Sequence, residues 1–172
     1  MIFDGLDLKA VGIAAAGALV VAKLGGLLSD TGPWYKSLAQ PRWKPPDWAF
    51  GPIWTVIFAA AATAGVMAWE RAPTGPARVC MVSQFALNGA LNIVWSLLYF
   101  RFKRPDWALA VVVFLWLSIA SLIVTIAPYS PTSSWLLVPY LVWVTTAGAL
   151  NLATIRLNGP FGSAAGKRDA AR

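Results

Sequence analysis

The sequence contains no histidine and a single cysteine. Without histidine, Ser-His-Asp and Cys-His catalysis are excluded, as is histidine ligation of zinc or of a haem iron. Cys80 has no partner for an internal disulfide, and we interpret it as a small apolar residue near the start of a helix. The sequence therefore predicts no metal site, no cofactor and no acid–base enzyme of the ordinary kind.

Charged residues are also scarce, at 12% of the chain. The acidic ones fall in loops, at helix ends or in the tails, namely Asp4, Asp7, Asp30, Asp47, Glu70, Asp106 and Asp169. No carboxylate is expected in the middle of a membrane. Proton relays and cation-coupled transporters usually have one there, so the sequence argues against both.

Long apolar runs are what the chain has instead, with 58% hydrophobic residues. A run of about 20 apolar residues spans the hydrocarbon core as a helix. Five runs are long enough, over residues 8–28, 51–69, 77–100, 107–127 and 135–155. We expect an all-α integral membrane protein, with one five-helix transmembrane domain over 1–160 and a flexible basic tail over 161–172. Acidic residues precede the first run, so we interpret it as a retained span rather than a signal peptide.

Basic residues predict the orientation. The 14 lysines and arginines give a net charge of +7, and most lie in the long connection 29–50, in the connection after the third span and in the tail. The positive-inside rule then places the N-terminus outside, and the long loop and the C-terminus in the cytoplasm. These residues are spread over three segments without a soluble module, so we do not expect nucleic-acid binding.

One stripe of the third span carries polar side chains. Gln84, Asn88, Asn92 and Trp95 follow each other at intervals of four, four and three residues, which places them in a sector of about 80°. A carboxamide in hydrocarbon needs a partner, so this stripe faces other helices or a cavity. Hydrogen bonds between helices and a pocket wall are both open interpretations.

Tryptophans near span ends have an ordinary explanation, the aromatic belt at the membrane surface. We interpret Trp69, Trp116 and Trp135 in this way. Four others share a helix face with small or carboxamide residues, which favours an interior aromatic cage for a flat, apolar, conjugated ligand. They are Trp54, Trp95, Trp107 and Trp143.

Three segments carry a family resemblance: WYKSLAQPRWKPPDWAFGPIW (34–54), ALNIVWSLLYF (90–100) and PYLVWVTTAGALN (139–151). They resemble the tryptophan-rich sensory protein and translocator protein family, also called the peripheral benzodiazepine receptor family, in a bacterial-type member. The resemblance implies a five-helix membrane bundle, often a homodimer, surrounded by lipid. It also implies binding of porphyrins, with cholesterol and benzodiazepine-type ligands in animal relatives, and a link to tetrapyrrole and stress regulation.

The resemblance further implies a pocket between the helices near the cytoplasmic side, with the first loop as its lid. Carried over to this sequence, the ligand-binding residues are Trp34, Trp48, Phe50, Gly51, Trp54, Asn92, Trp95, Trp107, Ala110, Phe114, Trp143, Ala147 and Leu150. Basic residues at the mouth are candidates to meet the carboxylates of a porphyrin. They are Arg42, Lys44, Arg101 and Lys103.

Prolines predict the shape of the lid. Pro41, Pro45 and Pro46 are expected to hold it extended, and Pro52 is expected in the first turn of the second span. Trp34, Trp43 and Trp48 would then be held over the cavity.

Two departures from the family bear on the ligand. Animal relatives carry aromatic residues after the Leu-Asn pair that ends the fifth span, whereas this chain has Leu152 and Ala153, which argues against cholesterol as the natural ligand. Phe58 stands where many relatives have tyrosine, so polar recognition would fall to the carboxamides of the third span.

Three functions remain open at this point. The first is a receptor or sensor that binds porphyrins. The second is light-dependent porphyrin degradation, in which Trp54 and Trp143 would be the catalytic residues. The third is a transporter of tetrapyrroles or sterols.

Overall fold

The computed structural model describes residues 7–162, and this part of the chain is helical without a strand. Its helices are α1 (Leu8–Leu28), α2 (Pro33–Ser37), α3 (Asp47–Arg71), α4 (Pro76–Ser96), α5 (Pro105–Ile126) and α6 (Pro131–Asn158). A π-helical turn, Leu97–Arg101, continues α4. Residues 163–172, the greater part of the predicted tail, lie outside the described residues, and the division into one domain and a tail stays a prediction.

Five of these helices are long and apolar enough to cross a membrane, namely all except α2, with the π-helical turn counted as part of α4. The prediction of a five-helix integral membrane protein is confirmed. The second span begins at Asp47, before the predicted residue 51, because the extended backbone of Pro46 is its N-cap. Pro52 therefore lies inside α3, beyond the first turn in which it was predicted.

Proline also begins the later helices. Pro76, Pro105 and Pro131 each stand within the first two positions of α4, α5 and α6. A proline is favourable there because its missing N–H has no helical partner in the first turn, and its fixed φ suits the helix. Gly75, at φ +90°, supplies the turn between α3 and α4. The connection from α3 to α4 thus reverses at a glycine, whereas in the connection from α4 to α5 the residue with positive φ is Lys103, at φ +54°.

The helix connections define two ends of the bundle. The far end holds the connections from α3 to α4 and from α5 to α6. The lid end holds residues 29–46, which we call the lid, and the connection from α4 to α5. α1 packs against α3 and α4 but has no fully buried residue. Its outer face is open to lipid or to a second copy, and the expected homodimer stays a prediction.

Aliphatic and small side chains fill the far end. Its core contains Ala64, Ala68, Ala72, Met81, Leu122, Ile126 and Leu137, none more than 3% exposed. Alanines on α3 let the larger side chains of the facing helices approach closely, as is usual where helices pack in membranes. This end is a closely packed core.

The lid is folded rather than extended. It contains the short helix α2, and a turn in which the Lys44 N–H donates to the Pro41 carbonyl at 3.0 Å. Pro41 is the first residue of this turn, and the central residues Arg42 and Trp43 reverse the chain. The segment after Pro41 is therefore bent, where we had expected it to be straight. The lid thereby folds back toward the bundle.

Candidate ligand pocket under the lid

The π-helical turn at the end of α4 shapes the lid end. The Phe102 N–H donates to the Leu97 carbonyl, a hydrogen bond that spans five residues rather than four. Such a turn inserts an additional residue into the helix and changes the direction of the side chains that follow. It brings Tyr99 and Phe100 together, with ring centroids 4.7 Å apart.

A small cavity lies between the lid, α3, the end of α4 and α6. Its volume is ≈ 40 Å³, enough for a water molecule and far below the roughly 300–1,000 Å³ of pockets that hold drug-sized ligands. The residues that line it are Tyr35, Gln40, Lys44, Phe50, Trp95, Tyr99, Phe100, Ala147, Leu150, Asn151 and Thr154. The lid supplies three of them, namely Tyr35, Gln40 and Lys44, so the lid covers one side of the cavity.

Aromatic rings belong to five of the eleven residues that line the cavity. Trp95 and Tyr99 lie 5.5 Å apart, and Tyr35 of the lid packs against Phe100 at 5.7 Å. Trp34 meets Tyr99 edge-on at 6.3 Å. These distances are typical of aromatic pairs that attract each other beyond their burial. The lid is therefore attached to the bundle through ring contacts.

A second group of rings lies behind Phe50. Phe50 meets Trp143 edge-on at 5.4 Å, and Trp143 meets Trp54 edge-on at 6.4 Å. The Nε1 atom of Trp143 is buried and has no hydrogen-bond partner among the described residues. A buried donor of this kind is costly until an acceptor reaches it.

The polar groups of the wall are hydrogen-bonded to each other. Trp95 Nε1 donates to Asn151 Oδ1 at 3.2 Å, and the Tyr99 hydroxyl lies 3.1 Å from Thr154 Oγ1. Asn151 Nδ2 in turn donates to the carbonyl of Pro105 at 2.8 Å. These bonds connect the end of α4 to α6, and they orient the indole and the phenol that face the cavity.

The carboxamide stripe of α4 holds helices together. The Tyr140 hydroxyl donates to Asn88 Oδ1 at 3.1 Å and accepts from Asn92 Nδ2 at 3.3 Å. Asn88 Nδ2 donates to Ser118 on α5 at 2.9 Å, and Gln84 Nε2 to Thr125 at 3.0 Å. Of the two interpretations left open, hydrogen bonding between helices is the one the geometry favours, since none of the three carboxamides lines the cavity.

The last residue of α6 binds the lid backbone. Asn158 Oδ1 accepts from the Ala39 N–H at 2.7 Å, and Asn158 Nδ2 donates to the Ala39 carbonyl at 2.9 Å. One side chain thus satisfies both backbone groups of a lid residue, far away in the sequence.

A charged cluster closes the lid side of the cavity. Lys44 forms an ion pair with Asp47 and lies 4.9 Å from the centre of the Tyr35 ring. Burial raises the pKa of the Tyr35 hydroxyl. Burial also acts to lower the pKa of Lys44, but hydrogen bonds to Asp47 and Tyr35 outweigh it and the net shift is upward. Lys44 is therefore a stable cation at the pocket wall.

The predicted ligand-binding residues divide into three groups in the structure. Phe50, Trp95, Ala147 and Leu150 line the cavity. Trp54 and Trp143 lie behind Phe50, Asn92 bonds to Tyr140, and Trp34 packs on Tyr99. The other five are exposed on the outside of the bundle, namely Trp48, Gly51, Trp107, Ala110 and Phe114. For all of them, ligand contact stays a prediction.

Two positions differ clearly from the expected geometry. Trp107 is 54% exposed and lies against Arg104, at 4.1 Å from its guanidinium, instead of inside an aromatic cage. Trp48 is 76% exposed in the first turn of α3 and does not cover the cavity, and Trp43 is exposed as well. Helix spacing shows which residues share a face, but the face that turns inward depends on how neighbouring helices pack.

A larger groove lies on the outer surface between α4 and α5. Its volume is ≈ 330 Å³, and it is lined by Gln84, Leu87, Leu91, Phe114, Leu117, Ser118 and Ser121. Phe114 is the one aromatic residue among those that line it. It differs from the lid-end cavity in being lined by three leucines, one ring and three polar side chains, with no residue from the lid.

Comparisons with known proteins decide the family. The sequence profile of the TspO/MBR family matches residues 10–157. The chain belongs to the TspO/MBR family. The TspO/MBR match covers all five spans and the lid, so the resemblance seen in the three motifs is confirmed.

Individual TspO/MBR relatives agree with the profile. The tryptophan-rich protein TspO of Chlorobaculum tepidum is 36% identical over 129 residues, which cover 73% of this chain and 79% of the relative. Protein CrtK of Rhodobacter capsulatus is 32% identical over 148 residues, or 86% of this chain and 89% of the relative. The translocator protein of Sus scrofa is 33% identical over 153 residues, covering 85% and 90%.

Several lining residues were missed by sequence reasoning. Tyr99 and Phe100 reach the cavity through the π-helical turn, for which the sequence has no recognised signal. Tyr35 and Gln40 reach it through the fold of the lid. Asn151 and Thr154 are different, because the spacing of α6 does place them on the helix face that contains Ala147, and only the residues carried over from the family left them out. Among residues 7–162, no group of acidic or cysteine side chains comes together that could hold a metal ion.

Proposed function

We propose that this protein is a membrane receptor that binds porphyrins and similar flat, conjugated, hydrophobic molecules in the pocket under the lid. The observation that carries the proposal is the cavity itself, which four aromatic residues, Phe50, Trp95, Tyr99 and Phe100, line beneath a separately folded lid. Aromatic walls favour flat conjugated ligands through stacking and burial.

Binding of a molecule as large as a porphyrin requires the lid to move. The closed cavity of ≈ 40 Å³ holds no such ligand. The lid is held by ring contacts and by the hydrogen bonds of Asn158 to Ala39, which are individually weak enough to break and re-form. A closed, ligand-free state that opens to admit the ligand is therefore part of the proposal.

A titration in detergent tests it. Protoporphyrin is added in the dark while tryptophan fluorescence is followed, and saturable quenching is expected. Ala147→Phe should weaken binding because Ala147 lines the cavity, whereas Ala149→Phe, an equal change at an exposed position of the same helix, should not. Thermal unfolding verifies that both variants are folded. Quenching that never saturates, or equal loss in both variants, would refute the proposal.

Light-dependent degradation is a second candidate, supported by the edge contact of Trp54 and Trp143 and by the contact of Trp143 with the pocket residue Phe50. In this version the excited porphyrin accepts an electron from the Trp54 or Trp143 indole and passes it to dioxygen, and the resulting superoxide and oxidised indole attack the macrocycle. Illumination of the saturated complex in air would then bleach the porphyrin absorbance, and Trp54→Phe or Trp143→Phe would slow the bleaching. Stable absorbance would rule out degradation and leave binding as the function. Porphyrin flux into sealed vesicles would indicate transport.

We further infer that the lid end faces the cytoplasm. Most basic residues outside the tail lie at that end, in the lid and around the end of α4, which the positive-inside rule assigns to the cytoplasm. Single cysteines at Thr31 and Thr74, in a Cys80→Ser background, test this with an impermeant maleimide on intact cells. Thr74→Cys, at the far end, should react, and Thr31→Cys should react only after permeabilisation.

A further inference from the structure

One wall of the cavity contains a buried donor with nothing to donate to. The Nε2 atom of Gln40 is buried, and it has no hydrogen-bond partner among residues 7–162. Gln40 lines the cavity. An amide N–H buried without an acceptor destabilises the closed state, and an acceptor on a ligand would remove that cost.

Lys44 lines the same wall. Its side chain is 15% exposed, whereas that of its partner Asp47 is 61% exposed. Lys44 is thus a largely desolvated cation whose only described counter-ion faces the solvent. Desolvation strengthens the attraction between such a cation and a second anion arriving from inside the pocket.

The other basic residues named at the mouth do not line the cavity. Arg101 Nη2 donates to the carbonyl of Leu27 at 2.8 Å, and Lys103 lies over the Trp34 ring at 5.9 Å. Arg42 is exposed. Among the described residues, Lys44 is the one basic side chain that lines the cavity.

We propose that Gln40 and Lys44 form a carboxylate subsite of this pocket. It selects ligands that combine a flat apolar body with an acid group. One carboxylate accepts from the Gln40 amide and from the Lys44 ammonium, and Asp47 turns to the solvent at the N-terminus of α3, where a negative charge is favourable. The inference rests on the proposed function and adds the chemical group that the pocket recognises.

Two forms of one macrocycle test the subsite. Protoporphyrin IX and its dimethyl ester have the same ring system, but the ester lacks both carboxylates. The full-length protein in detergent should bind the acid about tenfold more tightly than the ester, as expected for charge-assisted hydrogen bonds at a desolvated site. The measured quantity is the ratio of the two dissociation constants.

Variants separate recognition from lid stability. Lys44→Met and Gln40→Leu should bring the ratio toward one, and Lys44→Arg should keep most of it. Asp47→Asn should raise the ratio, because it frees Lys44 for the ligand. A purely structural ion pair predicts the opposite, namely that Lys44→Met and Asp47→Asn act alike. Lys36→Met, a lid lysine that is exposed and outside the cavity, is the matched control and should leave the ratio unchanged.

The outcomes distinguish the two proposals. If neither compound binds, the proposed function is wrong and the subsite with it. If both bind with equal affinity, the receptor function stands and the subsite is overturned. A preference for the acid that persists in both Lys44→Met and Gln40→Leu also overturns it, since another group would then recognise the carboxylate.

Discussion

The two ends of this bundle are built from different side chains. At the far end, small and aliphatic residues such as Ala64, Met81 and Ile126 are almost completely buried. At the lid end, the cluster around Tyr35 and Tyr99 is aromatic, and it encloses a cavity. Aliphatic side chains of different sizes fill space closely, whereas large rings fixed by hydrogen bonds leave gaps. From this difference we expect side chains at the far end to contribute more to stability than those at the lid end, where we propose that the ligand binds.

The largest expected effect is a loss of stability at the far end. Leu122 is 1% exposed. Leu122→Ala should lower the free energy of unfolding by about 2–5 kcal/mol, because the substitution leaves a cavity. Leu150→Ala at the lid end should cost about 2 kcal/mol or less, because Leu150 already borders a cavity. Reversible unfolding in mixed micelles gives both values. Equal losses would remove the contrast between the two ends.

The next effect concerns the polar connection between α4 and α6, midway between the ends. Tyr140→Phe leaves the Asn88 and Asn92 carboxamides without the hydroxyl they share, at a cost of about 1–3 kcal/mol. Tyr129→Phe is the control, since the Tyr129 hydroxyl makes no hydrogen bond among the described residues. If the two variants are equally stable, the connection contributes nothing measurable.

A smaller effect is expected at the lid attachment. Asn158→Ala removes both hydrogen bonds to Ala39, worth about 1 kcal/mol for an exposed pair, while the far end is left intact. Amide hydrogen exchange should speed up in residues 29–46, and protoporphyrin should bind several-fold faster. Leu157→Ala, at an exposed neighbouring position, is the control. Unchanged exchange in the lid would show that the rings alone hold it closed.

The smallest effect is a dependence on pH at the far end. The backbone N–H of Ala10, the indole of Trp69 and the backbone of Lys9 together hold the pKa of the exposed Asp7 carboxyl below its ordinary value of 3.8. Its stabilising contribution is therefore present above about pH 3.8 and is lost as the pH falls through the lower, folded-state pKa. Acid titration of the melting temperature should show this small loss, and Asp7→Asn should abolish it.

The spans could be predicted closely from the sequence. α1 begins and ends at the predicted residues 8 and 28, because a hydrophobic run long enough to cross a membrane has one plausible structure. Helix starts were less certain where proline was involved. At α3, the extended backbone of Pro46 moved the start to Asp47.

The site was predicted less completely. Ala147 and Leu150, carried over from the family, do line the cavity, and their contact with a ligand stays a prediction. Tyr99 was not predicted, because a π-helical turn depends on local packing. Trp107 was expected inside, and it lies outside beside Arg104. An aromatic face next to small residues looks the same in sequence whether it meets a ligand, another helix or lipid.

By itself, the sequence determined the membrane class, the number of spans, the family and the absence of histidine chemistry. These follow from composition and motif, which do not depend on distant contacts. Only the tertiary structure decided that the α4 carboxamides bond to other helices, that Asn158 holds the lid, and that Gln40 and Lys44 face one cavity. Each of these joins residues far apart in the chain, and side-chain packing between helices, rather than the order of residues along any one of them, brings them together.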